Sequence, residues 1–180
     1  MTDIHRLTCK NLVKLQNDTT TCFDRTIINL TTLCCRRFHV PVKVCKLQAN
    51  ALRAMQYHIQ TSQGRSLKSY SNTDKVPIDG TEQGSSVSGT DWLFNNVPMF
   101  QVLQKRYVGC ERSSRDKHIK ISKHILGNVD DAKQYSNNWI DNDLFNIMNK
   151  LTEASQTREQ LLHTSESKLE ISKCTMFVLK

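Results

Sequence analysis

Aspartates stand in two places of this chain where the neighbouring residues predict the ends of β-strands. Asp18 follows an apolar run within residues 11–16, and the pair Asp130 and Asp131 follows a second run of Ile, Leu and Val. Carboxylates at adjacent strand ends can hold two magnesium ions about 3.5–4 Å apart, which stabilise the attacking and leaving oxygens of a phosphoryl displacement. Taken one at a time, Asp18 also fits a helix cap, and Asp130 with Asp131 an acidic surface turn.

Two further segments contain residues that could contact a ligand. Residues 77–89 are rich in glycine and serine and precede an apolar helical pattern. Glycine lets a backbone approach a ligand closely, and the amide of Gln83 can both donate and accept a hydrogen bond. An ordinary Gly/Ser loop has the same composition. Lys173 precedes the last apolar run, and a solvated turn lysine explains it as well as a functional one does.

Composition narrows the class of protein. The 180 residues suit one domain, and the net charge of +8 with a pI near 9.2 favours a polyanionic partner, with a solvated basic surface as the alternative. The 7 cysteines form no C-x-x-C pair, which indicates reduced thiols. Neither a membrane-spanning run nor a signal-peptide pattern is present, so we expect an intracellular protein, in cytoplasm or nucleus, without a membrane partner.

Hydrophobic periodicity predicts elements that would position these residues. The strand before Asp18 is followed by two helices, a loop, a third helix that Pro98 should kink or split, a hairpin that turns at the acidic pair, a long helix and a terminal strand. The apolar positions are Ile27, Leu30, Leu33, Cys34 and Phe38 in the first helix, Cys45, Ala49, Leu52, Met55 and Ile59 in the second, Trp92 to Tyr107 in the third, Ile119 to Tyr135 in the hairpin, Leu144 to Leu162 in the long helix, and Leu169, Ile171 and Cys174 to Leu179 in the strand.

Four of these segments resemble the motifs of one known family, in the same order and at similar separations. They are residues 17–25 (NDTTTCFDR), 77–89 (PIDGTEQGSSVSG), 127–131 (GNVDD) and the stretch 154–174. The family is that of the reverse transcriptases, and the closest likeness is to retroelement sequences of the protist and diatom type, from about Asn11 onward.

The resemblance implies a polymerase site. It assigns Asp18, Asp130 and Asp131 to two Mg²⁺ ions that serve the addition of deoxynucleotides to a primer 3′-end. It places Phe23 under the incoming sugar, where the ring would exclude a 2′-hydroxyl. The implied partners are an RNA or DNA template-primer, deoxynucleoside triphosphates and other parts of a retroelement polyprotein. The remaining implied site residues are Gln83 and Gly84, which would line the nucleotide and template site, and Lys173, a candidate general acid toward the pyrophosphate.

The same resemblance implies an α+β fold: a palm-like small antiparallel sheet with helices packed on one face, within a single partial reverse transcriptase domain over residues 1–180. The fingers and thumb of the family are not matched, so the expectation is a truncated copy with weak or no activity. Three departures loosen the site further. They are Asn128 in place of an aromatic residue, Glu82 in place of a glycine, and Glu166-Ser167 in place of a glycine pair.

Alternative functions remain open at this point. A catalytically inactive, basic nucleic-acid-binding remnant would bind phosphates without needing Mg²⁺. A zinc module would use Cys110, His118 and His124, although their spacing fits no common finger, and a Cys-His hydrolase has no recognisable signature. The cations of the remnant would be Arg36, Arg37, Lys43, Lys46, Arg53, Arg65, Lys68, Arg112, Arg115, Lys117 and Lys120.

Overall fold

Two compact units make up the chain, and both are seen in a computed structural model. The sheet unit consists of residues 1–22 and 96–180, and the insert unit consists of residues 23–95. The prediction of one partial domain over residues 1–180 stays a prediction. The residues that the structure describes are 11–20, 22–73, 78–81, 86–107, 109–114, 116, 118–128, 131–137 and 143–179.

Helices and short antiparallel strands alternate along the chain, so the predicted α+β class is confirmed. No helix of the described part is long and apolar enough to cross a membrane. The elements are β1 (Leu12–Asn17), α1 (Ile28–Arg37), α2 (Val42–Arg53), β2 (Gln56–Tyr57), β3 (Gln60–Thr61), β4 (Gly64–Arg65), β5 (Tyr70–Ser71), α3 (Ser88–Arg106), β6 (Cys110–Ser113), β7 (Lys120–Lys123), β8 (Ile125–Asn128), β9 (Asp131–Asn137), α4 (Leu144–His163), a 3₁₀ turn (Ile171–Lys173) and β10 (Thr175–Leu179).

A four-stranded antiparallel sheet in the order β10-β1-β9-β8 forms the centre of the sheet unit. β1 lies between two partners, with Leu12 opposite Leu179 on one side and opposite Asn137 on the other. Alternate side chains of a strand point to opposite faces, so Val13 and Leu15 share one face. That face packs against α4. The sheet therefore has a helix on the face that Val13 and Leu15 occupy.

The core of this unit is apolar on both sides of the sheet. Val13 and Leu15 pack with Ile147 and Leu151 of α4, and all four side chains are buried. Burying a large aliphatic side chain contributes about 1.5–3 kcal/mol, so this cluster fixes α4 against the sheet. The opposite face holds a second cluster of Leu12, Cys110 and Tyr135, with Leu179 against it.

Helix α4 begins and continues for reasons visible in its sequence. Asp143 caps it, since its carboxylate accepts a hydrogen bond from the Phe145 backbone N–H at 3.0 Å. The buried positions recur at helical spacing and form the stripe that faces the sheet unit's interior. These positions are Ile147, Leu151, Ala154, Thr157, Arg158 and Leu162.

In the insert unit, α1 and α2 pack together and two small ribbons follow. Pro41, the N-cap residue of α2, separates the two helices. Each ribbon is a ladder of two residues per strand, β2 with β5 and β3 with β4. Tyr57 and Tyr70 stack across the first ribbon with ring centroids 5.3 Å apart. The Asn95 side chain donates to Thr31 Oγ1 at 2.9 Å, which ties the start of α3 to α1.

Several element predictions are confirmed and others need correction. The strand before Asp18 and the helix from Leu144 are found as predicted. The second helix ends at Arg53, so Met55 and Ile59 lie beyond it, and Pro98 does not split α3.

The other two corrections concern strands. The first arm of the hairpin is two strands, because β7 pairs with β6 whereas β8 pairs with β9. The terminal strand starts only at Thr175, since Ile171 lies in a 3₁₀ turn and Leu169 makes a single bridge to Thr19.

Candidate active site

The ends of β1 and β9 bring two of the predicted aspartates to one edge of the sheet. The register pairs Asn17 with Ala132, Asp18 is the next residue after β1, and Asp131 is the first residue of β9. In an antiparallel pair, the residue after Asn17 lies next to the residue before Ala132. Asp18 therefore lies beside Asp131. The Asp18 side chain is 15% exposed and Asp131 is half-buried. Asp130, the third predicted carboxylate, lies outside the described residues.

Lys173 contacts Asp18 directly. Its Nζ lies 2.9 Å from Asp18 Oδ2, and the lysine side chain is 67% exposed. Sequence reasoning placed both residues in one site, and the structure brings them together. The contact puts a positive charge on the carboxylate that leads the first motif.

Backbone hydrogen bonds hold the segment that bears Lys173 against the segment that bears Asp18. The Glu170 N–H donates to Asp18 O at 3.0 Å, and the Thr20 N–H donates to Lys168 O at 3.0 Å. Within the turn itself, the Lys173 N–H donates to Glu170 O at 2.9 Å. We call residues 168–173, with residues 18–20, the clip.

The Glu170 carboxylate adds side-chain bonds to the clip. Ser172 Oγ donates to Glu170 Oε1 at 2.7 Å, and Thr20 Oγ1 donates to Glu170 Oε2 at 3.3 Å. These two bonds, with the nearby Lys173 and Lys168, lower the pKa of Glu170. The acceptor is therefore ionised at neutral pH, and Glu170 supports the position of the loop.

A buried arginine lies under the same strand ends. Arg158 of α4 is only 1% exposed, and its Nη2 donates to Thr19 Oγ1 at 3.1 Å, while Nε and Nη1 have no hydrogen-bond partner among the described residues. Burial lowers the pKa of Arg158 to about 10, and the charges of Cys174, Asp18 and Asp131 oppose that shift. Arg158 thus stays charged at neutral pH, and its charge attracts the carboxylates of Asp18 and Asp131.

Sequence reasoning missed Arg158 as part of this site, although a signal was present. The residue occupies the apolar stripe of α4, four positions after Ala154 and four before Leu162. A charged residue is rarely buried unless charges of opposite sign compensate it. A basic residue in such a stripe therefore predicts carboxylates opposite it.

Within the insert unit, the end of the first motif contacts the start of the second. The Thr81 N–H donates to Phe23 O at 2.7 Å, and the Gly80 N–H donates to Thr26 O at 2.8 Å. Gly80 has φ +112°, and a Cβ there would lie 2.8 Å from the backbone oxygen of Asp24. Glycine is therefore required at this close approach. The Phe23 side chain is half-buried.

The proposed nucleotide contacts Gln83 and Gly84 lie outside the described residues, as does Glu82. Phe23, Asp24 and Arg25 of the first motif belong to the insert unit, whereas Asp18 and Lys173 belong to the sheet unit.

The donor set at the β1 and β9 ends suits a hard cation. Carboxylate oxygens are the ligands that Mg²⁺ prefers, and Asp18 and Asp131 supply them from fixed strand ends. No group of three potential ligands occurs among the described residues, and the third predicted ligand, Asp130, is not one of them. Asp18, which is paired with Lys173, and Asp131 are thus the described part of the predicted Mg²⁺ site, and that site stays a prediction.

The zinc alternative gains no support from the described part of the chain, where no cluster of ligands forms. Burial raises the pKa of the Cys110 thiol, which opposes the thiolate that zinc requires. Burial lowers the pKa of His124, which by itself favours the neutral imidazole that a metal binds, and His118 is exposed. The six described cysteines are free.

The described architecture resembles part of several solved telomerase structures. Apo telomerase from Candida tropicalis truncated from its C-terminal domain matches with a TM-score of 0.59 and 15% identity, over 99% of this chain and 33% of that one. No protein-family model matches the sequence, and neither does any curated protein.

Two telomerase structures with bound RNA also match the fold of this chain. Telomerase from Candida tropicalis in complex with the TWJ fragment of telomeric RNA matches with a TM-score of 0.62 and 13% identity, and that from Candida albicans with 0.63 and 12%. Each match covers 98% of this chain and 28% of the telomerase chain. At such identities the likeness concerns the fold, and the chain spans about a third or less of these proteins.

Proposed function

We propose that this chain is the palm region of a reverse transcriptase, in which Asp18, Asp130 and Asp131 hold two Mg²⁺ ions for nucleotidyl transfer. The observation that supports the proposal most directly is the β1–β9 register, which puts Asp18 and Asp131 at one sheet edge. The fold likeness to telomerase gives independent support. The reaction is the addition of deoxynucleotides to a primer 3′-end on an RNA or DNA template.

The chain's own residues have distinct roles in this proposal. Bound Mg²⁺ would supply charge stabilisation for the attacking and leaving oxygens. Asp18 and Asp131 present oxygen donors from strand ends that the sheet fixes, and Arg158 offsets the repulsion between these carboxylates from below. Lys173 reaches the same place from the clip, where it can also donate a proton to a leaving pyrophosphate. Phe23 keeps its proposed role beneath the incoming sugar.

Partners and origin follow from the same proposal. A template-primer and deoxynucleoside triphosphates are the ligands, and the net charge of +8 suits both. Retroelement origin, with other parts of a polyprotein as partners and an intracellular site of action, rests on the sequence motifs.

Primer extension combined with metal binding tests this function. The experiment measures Mg²⁺-dependent extension of a DNA primer on RNA, and Mn²⁺ binding by electron paramagnetic resonance, because Mn²⁺ prefers the same oxygen ligands. The variant is Asp130→Asn with Asp131→Asn, and the matched control is Asp116→Asn at an exposed turn. We expect the double variant alone to lose both signals. Unchanged Mn²⁺ binding in the double variant would refute the metal site.

A second candidate function has a specific observation in its favour. The segment from Arg25 to Thr73 contains eight basic residues and no acidic one. A nucleic-acid-binding module without catalysis needs only such a surface. These residues are Arg25, Arg36, Arg37, Lys43, Lys46, Arg53, Arg65 and Lys68.

Mg²⁺ dependence separates the two functions. A binding module would retain its affinity for single-stranded RNA with or without Mg²⁺, and the affinity would fall steeply with salt. It would also retain that affinity in the Asp130→Asn/Asp131→Asn variant while extending no primer.

A further inference from the structure

The ion pair at the end of β1 joins two residues of very different exposure. The Asp18 side chain is 15% exposed, whereas the Lys173 side chain is 67% exposed. The carboxylate is thus held in place by its surroundings, and most of the lysine lies in water. A flexible, strongly hydrated ammonium group in such a position can leave its partner without exposing buried surface.

The backbone around this contact is fixed without the ion pair. Glu170 N–H to Asp18 O and Thr20 N–H to Lys168 O, both at 3.0 Å, already hold the clip together, and the Thr20 hydroxyl reaches the Glu170 carboxylate. Rotation of the Lys173 side chain can therefore remove Nζ from Asp18 without breaking these backbone bonds. The clip keeps the lysine close to the carboxylate, so the contact also re-forms readily.

Arg158 differs from Lys173 in this respect. It is 1% exposed and bonds to Thr19 Oγ1 from within α4, so it cannot leave when another cation arrives. The two described aspartates are therefore compensated by one permanent positive charge and one displaceable charge.

We propose that Lys173 Nζ occupies the cation position on Asp18 in the metal-free chain and is displaced when a divalent ion binds, so that Lys173 sets the metal affinity of the site by competition. This inference rests on the proposed metal site and adds a determinant of its affinity. Two positive groups cannot share the same carboxylate oxygen closely, because their mutual repulsion opposes the attraction of each.

Mn²⁺ affinity of the full chain provides the test, with electron paramagnetic resonance as the readout. The variant is Lys173→Met, which keeps an unbranched side chain of similar reach and removes the charge. The matched control is Lys168→Met, an exposed lysine of the same clip whose side chain is not in the Asp18 ion pair. We expect Lys173→Met to bind Mn²⁺ about fivefold more tightly than the wild type, and Lys168→Met to remain within about twofold.

The outcomes distinguish this inference from the proposed function. Equal or weaker Mn²⁺ binding in Lys173→Met, with binding still lost in Asp18→Asn, overturns the competition and leaves the metal site standing. Absence of Mn²⁺ binding in the wild type and in Lys173→Met overturns both.

A second measurement needs no variant. The rate at which an amine-specific reagent modifies Lys173, followed by mass spectrometry, should rise when Mn²⁺ is added, because the ammonium group leaves Asp18. Lys168 in the same sample serves as the internal reference. A Lys173 rate that stays constant or falls relative to Lys168 overturns the competition.

Discussion

In the sheet unit, the carboxylates at the end of β1 interact with basic side chains. The insert unit, in contrast, contains a long segment with basic residues and no acidic ones. Asp18 contacts Lys173, and both Asp18 and Asp131 interact with the buried Arg158. From Arg25 to Thr73, by contrast, eight basic residues and no acidic residue occur.

This difference separates two uses of charge in one chain. Compensated charges that are partly buried hold groups in defined positions, since each unpaired charge would cost free energy. A surplus of basic residues on exposed helices and ribbons attracts a polyanion and has little effect on the fold. The sheet unit is therefore the candidate for chemistry, and the insert unit the candidate for non-specific binding of nucleic acid.

The largest effect should come from removing the permanent charge of the sheet unit. Arg158→Met leaves Asp18 and Asp131 without their buried counter-charge and removes the bond to Thr19. We expect the free energy of unfolding to fall by about 3 kcal/mol, because a buried side chain, its hydrogen bond to Thr19 and its attraction to the carboxylates are lost together. Urea denaturation followed by circular dichroism measures the change. Arg106→Met, at an exposed position near the end of α3, is the control and should change stability little.

A backbone substitution tests the insert unit in the same way. Gly80→Ala places a methyl group 2.8 Å from Asp24 O at a φ of +112°. We expect a loss of about 2 kcal/mol, because both the clash and the left-handed backbone oppose a side chain. Gly89→Ala is the control, since nothing lies within 4 Å of its new methyl group. Thermal unfolding compares the two, and equal melting temperatures would contradict the close approach.

Charge reversal tests whether the insert unit provides the binding surface. Lys43→Glu with Lys46→Glu alters two exposed residues of α2, and Lys105→Glu with Arg106→Glu alters two exposed residues of the sheet unit. The first pair should weaken binding of single-stranded RNA about tenfold and reduce the slope of log affinity against log salt by about 2. The second pair changes net charge equally and should have a smaller effect. Fluorescence anisotropy across a salt series measures both, and equal losses would abolish the distinction between the units.

The smallest effect concerns pH. Burial lowers the pKa of His124 below its ordinary value of 6.5, so the folded protein takes up this proton less readily than the unfolded chain. The contribution of His124 to stability is complete above pH 6.5 and is lost as the pH falls from there through the folded pKa. Unfolding by urea between pH 5 and pH 8 should therefore show a weaker acid dependence in His124→Gln. A wild-type profile in this variant would contradict the prediction, and His118→Gln is the exposed control.

The elements of the sheet unit could be predicted largely from local pattern. β1 and α4 have alternating or helical apolar periods, and both appear where those periods place them. The small ribbons β2 to β5 could not be predicted, since ladders of two residues leave no periodicity. The division of the first hairpin arm into β7 and β8 depends on which strand each one pairs with, and that is a long-range property.

The candidate site was predictable in composition and only partly in geometry. The motif order placed Asp18 and Lys173 in one site, and the structure brings the two side chains within 2.9 Å, while their roles stay predictions. The clip could not be anticipated, because its bonds join backbone groups that every sequence possesses. The position of Arg158 in the apolar stripe of α4 could be read from the sequence. That Asp18 and Asp131 lie together near it follows only from the β1–β9 register.

The central place of β1 in the sheet has a consequence for synthesis of the chain. Both of its neighbours, β9 and β10, come late in the sequence, and its first hydrogen-bonded partner, Ala132, follows Asn17 by most of the chain. A ribosome that adds roughly 5–20 residues per second needs on the order of ten seconds to cover that interval. During this time the strand LVKLQN of the nascent chain has no partner in its own sheet. The long separation from its partners delays the pairing of β1, and the aspartate that follows β1 reaches its place only after the sheet has formed.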